Sequence, residues 1–290
     1  MSKEIKQLAI VSGKGGTGKT TIAAAFAALA KDKVIVDCDV DAADLHLLLR
    51  PRVLKQEKYF GKRSPHVDLN KCTQCGLCTE VCRFNAIDNG VVEYISCEGC
   101  GFCSHICPED AIIMEEAFSG DWFVSDTPYG PFVHARLGIG EENSGKLVTV
   151  VRKKSVEIAQ ENDLDLILID GPPGIGCPVT ASITGVNVVL AITEPTLSGI
   201  HDLERILTLS KHFKIPSMVC INKFDLNLEH SNKIFLYCEK NGSQLIGKIP
   251  YEPKVVEALV QRRTIMDYPC NEVQDIVQNM WDLIHSFLTK

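Results

Sequence analysis

The chain has 290 residues, of which 45% are hydrophobic and 23% charged, close to the average for soluble globular domains and unlike disordered, collagenous or coiled-coil chains. Its 30 basic and 37 acidic residues leave a net charge of -7, which argues against a protein built to coat nucleic-acid phosphates. The length suits one large α/β domain or two ordinary ones.

The opening MSKEIKQLAIVSG runs straight into an apolar segment, and no uninterrupted apolar stretch reaches the ~18 residues of a membrane span. A cytoplasmic chain without stable membrane insertion is expected. Cysteine is the anomaly: there are 13, and eight fall between Cys72 and Cys107. A secreted disulfide framework needs an export signal, so this density points to metal or redox chemistry in a reducing compartment.

Residues 7–12 (QLAIVS) read as a strand, the glycine-rich loop after them as a turn, and the alanine-rich TTIAAAFAALAKD as a helix. KVIVD is a second strand, followed by a short helix-like LHLLL. The pattern breaks at Pro51, and the cysteine block occupies the chain to about Glu116. From Asp121 onward WFVSD, KLVTVV, LDLILID, VNVVLAIT and SMVCIN read as strands, with helical stretches between several of them. Apolar strands without clean alternation suit a sheet buried on both faces. The fold expected is a doubly wound, mostly parallel α/β domain made of residues 1–50 and 117–290, with residues 51–116 inserted as a small second domain. A basic stretch opens that insert (Arg50, Arg52, Lys55, Lys58, Lys62 and Arg63 against Glu57) and reads as a solvated linker, with a docking role as the alternative.

Gly13-Lys14-Gly15-Gly16-Thr17-Gly18-Lys19-Thr20 satisfies G-x-x-x-x-G-K-[ST] between a predicted strand and a predicted helix. Its glycines let backbone N–H groups and the helix N-terminus face phosphates. Lys19 adds a charge at the β/γ oxygens, and the Thr20 hydroxyl is placed for Mg2+. Thr21 continues the site into the helix. LILID delivers Asp170 to the sheet's C-terminal edge as a second Mg2+ group. Asn222 ends a strand within N-K-x-D, a guanine-reading pattern in GTPases, so the base is open between adenine and guanine.

The additional lysine, Lys14, makes KGGTGKT resemble the deviant Walker A motif of the MinD superfamily: partitioning and positioning ATPases, the nitrogenase iron protein and Mrp-type iron–sulfur carriers. That resemblance implies ATP as the nucleotide, with Asn222 as a base contact. It further implies a homodimer, or a heterodimer with a related ATPase, in which Lys14 reaches the partner's nucleotide. Val36-Asp37-Cys38-Asp39 resembles the family's first switch, which implies that Asp39 positions the attacking water; Asp41 and Asp44 are competitors. Asp170-Gly171-Pro172-Pro173-Gly174 resembles the second switch.

The insert repeats itself. Cys72-x2-Cys75-x2-Cys78-x3-Cys82 recurs 25 positions later as Cys97-x2-Cys100-x2-Cys103-x3-Cys107. This is the spacing of bacterial two-cluster ferredoxins, in which the fourth cysteine of each run serves the other cluster. Cys72, Cys75, Cys78 and Cys107 are therefore expected to hold one 4Fe–4S cluster, and Cys97, Cys100, Cys103 and Cys82 the other. Pro108 follows Cys107 as in that pattern, whereas Arg83 stands where proline is expected after Cys82. Two zinc sites are the rival reading, and His105 reads as a packing or solvent residue. Of the other five cysteines, Cys38 and Cys220 lie in apolar strands, Cys238 and Cys270 stand elsewhere, and Cys177 falls at the second switch. The C-terminal NEVQDIVQNMWDLIHSFLTK reads as an amphipathic helix docked on the domain core.

Together the motifs resemble a MinD-superfamily ATPase carrying a ferredoxin domain. ATP binding and hydrolysis would gate electron transfer from the clusters to a redox or metallocofactor-bearing partner. The alternative is an iron–sulfur or metallocofactor assembly ATPase, with a spatial-positioning ATPase third.

Overall fold

The apolar runs form the middle of one large sheet in a computed structural model that describes residues 4–141 and 144–290. The first three residues of the expected run into the opening strand lie outside them. In chain order the structure has β1 (Lys6–Ser12), α1 (Lys19–Leu29), β2 (Lys33–Asp37) and the short α2 (Leu45–Leu49). A long strand β3 (Arg52–Val67) then leads to an excursion holding α3 (Leu77–Val81), β4 (Ile87–Asp88), β5 (Val91–Val92) and α4 (Phe102–Ile106). A second long strand, β6 (Ile112–Thr127), returns from it and turns into β7 (Gly130–Leu137). The remainder alternates: α5 (Ser144–Glu161), β8 (Leu166–Pro173), α6 (Cys177–Ile183), β9 (Val188–Thr193), α7 (Leu197–His212), β10 (Ser217–Asn222), α8 (Leu228–Asn241), β11 (Gln244–Ile249), α9 (Pro253–Val260) and α10 (Asn271–Leu288).

The nine strands lie in the order β11-β10-β9-β1-β8-β2-β7-β6-β3. Pairing is parallel from β11 through β7, and β6 is antiparallel to both β7 and β3. Successive residues of β1 are buried against opposite layers. Leu8 and Ile10 join the core under α1, α2 and α10, while Ala9 and Val11 join the core under α5, α6, α7 and α8. Both faces being covered explains why these strands read as continuous apolar runs. On α10, Val273, Val277, Met280, Trp281 and Ile284 are buried, and Trp281 lies with its ring centroid 5.4 Å from that of Phe26. The terminal helix thus covers the sheet as expected.

Two expectations fail. KLVTVV is the start of helix α5, not a strand: its buried residues are Leu147, Val148, Val151, Ser155, Ile158 and Ala159, a helical period that overrides the β-branched composition. The basic stretch is also no linker. It is the edge strand β3, whose register with β6 runs from Arg52 opposite Asp126 to Val67 opposite Ile112; its exposed basic side chains suit an edge that must not pair further. Since β6 pairs with β7 only over Gly120–Thr127, the farther halves of β3 and β6 leave the sheet as a two-stranded ribbon with the cysteine block at its tip. The boundary expected at 116 falls inside β6.

Candidate functional site

Strand β1 ends at Ser12, and the loop to Lys19 lies at the C-terminal edge of the parallel strands, where such sheets bind ligands. Gly18 has φ +88°, and a Cβ there would stand 2.4 Å from Asn222 Nδ2, so only glycine lets β10 approach the loop. Asn222 Nδ2 donates to the Thr17 carbonyl at 2.8 Å. Together they wall a cavity of about 410 Å³ lined by Gly15, Gly16, Thr17, Gly18, Lys19, Thr20, Thr21 and Asn222, with Asp39 and Asp44 at one side. Gly13 is packed against Asp202 of α7 instead. The opposite wall is apolar, formed by Ile249, Val255, Val256 and Leu259. Sequence reading missed this wall; the signal was available in LIGKIP followed by Pro253, a strand and then a proline at the first helical turn.

Charge is concentrated beneath the loop. Lys19 Nζ is 2.7 Å from Asp170 Oδ1 and 3.8 Å from Asp39 Oδ2, and 3.3 Å from Thr20 Oγ1. Burial alone would lower the pKa of this ammonium, but Asp170, Asp37 and Asp39 together hold it above its ordinary value. The reverse balance acts on Asp39, whose carboxyl is pushed up to about 6 by burial despite Lys19. Asp37 was read only as part of a motif. It is buried, its carboxylate accepts from the backbone N–H groups of Asp39 and Leu45, and it thereby shapes the loop that presents Asp39. Of the competitors, Asp41 is exposed and faces Ser144, and Asp44 lies at the cavity's lip. Asp170 Oδ2 and Thr17 Oγ1 are buried without hydrogen-bond partners among the described residues. A buried carboxylate oxygen and a buried hydroxyl, both without partners, fit Mg2+ and phosphate oxygens, which supply the missing partners.

Lys14 points away from this cavity. Its Nζ lies 3.4 Å from Glu194 Oε2 and 3.3 Å from Thr196 Oγ1, and Glu194 also pairs with Lys223 at 2.6 Å.

At the ribbon's tip the eight cysteines sort into two groups. One cavity is lined by Cys72, Cys75, Cys78 and Cys107, the other by Cys82, Cys97, Cys100 and Cys103. Both are narrow, about 20 Å³ and about 30 Å³ against about 410 Å³ for the cavity at Lys19. The duplication extends to backbone detail: Gly76 and Gly101 have φ +78° and +76°, and Cys82 and Cys107 accept N–H···S bonds from Ala86 and Ala111 at 3.3 and 3.4 Å. Among the described residues no three His, Cys, Asp or Glu side chains form a group able to hold a metal ion. Four thiols standing around a cavity, with N–H groups directed at sulfur, fit a cluster core better than a single tetrahedral ion. His105 is exposed. Cys38, Cys220, Cys238 and Cys270 are buried, whereas Cys177 is exposed at the start of α6.

The profile described as the CobQ/CobB/MinD/ParA nucleotide binding domain matches residues 8–265. The chain belongs to that family. Among family relatives, the uncharacterized protein MJ0578 of Methanocaldococcus jannaschii is 30% identical, over 98% of each chain. A Pyrococcus furiosus protein named iron-sulfur cluster carrier protein is 26% identical, over 87% of this chain and 76% of its own. The septum site-determining protein MinD of Pyrococcus horikoshii, solved with Mg-ADP, shares the fold with a TM-score of 0.57 at 17% identity, covering 97% of this chain and 96% of that one. Among the described residues of this CobQ/CobB/MinD/ParA-family chain, no helix is long and apolar enough to cross a membrane.

Proposed function

We propose that the chain is an ATP-hydrolysing, dimerising switch that carries two 4Fe–4S clusters on an inserted ferredoxin-like domain and gates electron transfer from them to a protein partner. The observation that carries this reading is the sorting of eight cysteines into two four-thiol cavities, each drawing its fourth member from the other repeat. That domain sits on strands continuous with the sheet that ends at Lys19, Asp39 and Asp170. When bound, the clusters supply one-electron carrier capacity. The protein does the rest. Loop amides and Lys19 hold the phosphates, Thr20 and Asp170 hold Mg2+, and Asp39 orients the attacking water. Lys14 reaches the nucleotide of the facing subunit once it leaves Glu194.

Anaerobic redox titration with and without a non-hydrolysable ATP analogue tests the reading. Allosteric coupling of about 1–3 kcal/mol corresponds to about 40–130 mV for a one-electron couple. Potentials, partner affinity and nucleotide affinity that all prove mutually independent would leave two tethered domains and no gate.

A second reading, an ATPase that assembles or carries iron–sulfur or other metallocofactors, is favoured by the name of the Pyrococcus relative. It is separated from the first by measuring iron–sulfur transfer to an apo acceptor during ATP turnover. Spatial positioning alone would leave the cysteine cavities without a use.

A further inference from the structure

Besides the ribbon, the cysteine arm is fastened to the nucleotide-binding body by a buried ion pair. Lys62 of β3 and Glu141, in the loop after β7, meet at 2.7 Å with side chains only 12% and 10% exposed. Lys62 meets Glu141 Oε1, while the buried Oε2 has no hydrogen-bond partner among the described residues. The same Lys62 ammonium lies 3.5 Å from the carbonyl oxygens of Tyr94 and Cys97, and Cys97 lines the second cavity. Beside the pair, Ile95 rests on Gly140, where an added Cβ would stand 3.1 Å from Ile95 Cγ2. The loop after β7 therefore holds the backbone that leads into the second cysteine triplet.

The loop is bonded to the segment that presents Asp39. Leu137 N–H donates to the Val40 carbonyl at 3.1 Å, and within the loop Glu141 N–H donates to the Gly138 carbonyl at 3.2 Å. Val40 directly follows Asp39. A displacement of this segment on nucleotide binding thus pulls on the end of β7, four residues before Glu141. Within so enclosed a pair, separating the partners strands a charge, so the contact favours two discrete arrangements over gradual loosening.

Resting on the cluster-bearing switch proposed above, we infer that Lys62 and Glu141 are positioning residues that couple the Asp39–Val40 segment to the second cysteine quartet. The positive charge of Lys62 near Cys97 favours the more negative, reduced form of whatever the quartet holds, and Glu141 offsets that charge. Moving Glu141 changes the balance at the second quartet and leaves the first unaffected.

The test uses the full cluster-loaded chain. Midpoint potentials are measured by electron paramagnetic resonance titration, with and without a non-hydrolysable ATP analogue, for wild type, Glu141→Gln, Lys62→Gln and Lys62→Arg. Glu141→Gln should favour reduction at the second quartet about tenfold, a rise of about 59 mV; Lys62→Gln should lower it, and both should abolish the nucleotide response. Lys62→Arg should retain the response. A readout independent of cluster activity is hydrogen–deuterium exchange of the oxidised protein. The analogue should change exchange at both 137–141 and 94–97 in wild type, and only at 137–141 in Glu141→Gln. If Glu141→Gln fails to incorporate iron, Glu141→Asp takes its place, keeping the charge while shortening the reach, and should likewise lose the response at 94–97. A wild-type response that persists in the variants overturns the role of this pair and leaves the gate standing. A wild type whose potentials, exchange and partner affinity ignore nucleotide overturns both.

Discussion

Lys14 Nζ stands 3.4 Å from Glu194 Oε2 of its own chain, so the lysine proposed to serve a facing subunit's nucleotide is held at home in the single chain. Glu194 is shared with Lys223, which places one carboxylate between two ammonium groups. Dimer closure must break the Lys14 contact, and a partly exposed pair of this kind is worth about 0–1 kcal/mol. Each subunit of a homodimer gives up one such contact, so Glu194→Gln should promote dimerisation with a non-hydrolysable ATP analogue by up to about fivefold per subunit, about 30-fold for the pair, read by analytical ultracentrifugation. Weaker dimerisation in the variant would show that Glu194 acts in the closed state and not as a restraint on the open one.

The crossed arrangement of the cavities gives a sharper chemical test. Anaerobically purified protein should carry about eight iron and eight sulfide per chain. Cys82→Ala should damage the cluster of Cys97, Cys100 and Cys103, and Cys107→Ala that of Cys72, Cys75 and Cys78. Mössbauer or paramagnetic resonance spectra distinguish the two. Uncrossed damage, or bound zinc without charge-transfer absorption, would remove the two-cluster assignment.

What the sequence made legible is what local chemistry specifies. The loop from Gly13 to Thr20 needs its glycines and lysine within eight consecutive residues, and the cysteine triplets need theirs within seven; spacing alone carries both. The edge strand β3 was hidden because Arg52, Lys55 and Lys58 are exposed and its strand character comes from pairing with β6, far along the chain. Helix α5 was hidden because Val148, Val150 and Val151 favour strands locally, while the face they bury is set by α6 and the sheet. The loop-shaping role of Asp37 and the pairing of Lys62 with Glu141 could not be read. Their roles depend on which backbone N–H or charge the fold brings opposite them, and neither composition nor period encodes that.

In the proposed role of Asp39 as the water-orienting group, hydrolysis is linked to pH. The folded pKa of Asp39 is raised to about 6, burial being the leading cause, against about 3.9 for an unperturbed aspartate. Between these values the folded chain retains a proton that the unfolded chain has released. Stability from this site is therefore lost as pH rises through the window. Asp39→Asn should flatten that slope and raise the unfolding midpoint by a few degrees above pH 6, by calorimetry. Because the free enzyme's ionisations govern kcat/KM, ATP hydrolysis should decline on the acid side of about pH 6. Asp39→Ala should bind ATP and slow hydrolysis by about 100-fold or more, accumulating the dimer. Should that variant lose ATP binding or hydrolyse normally, Asp44 at the cavity lip becomes the candidate.

The nucleotide base can be decided at Asp225. In a guanine reader of the N-K-x-D type the aspartate must offer its carboxylate to the base. Here Asp225 Oδ1 accepts the backbone N–H of Tyr251 at 2.7 Å, in the turn between β11 and α9, the two elements whose Ile249, Val255 and Val256 form the apolar wall of the cavity. Asn222 is similarly engaged, its Nδ2 on Thr17 and its Oδ1 on the Lys223 N–H. The carboxylate thus fastens the wall and carries no base preference. An asparagine at 225 can still accept the same bond, so Asp225→Asn should leave ATP affinity within about threefold. Asp225→Ala removes a bond worth about 1 kcal/mol and should weaken ATP about fivefold through a looser wall. Competition against a fluorescent ATP analogue measures both, with GTP and xanthosine triphosphate as the alternative ligands. ATP should bind more tightly than GTP in wild type and in both variants. Tighter binding of GTP by wild type, exchanged for xanthosine triphosphate in Asp225→Asn, would mean that the carboxylate leaves Tyr251 to read guanine, and the ATP assignment would fail.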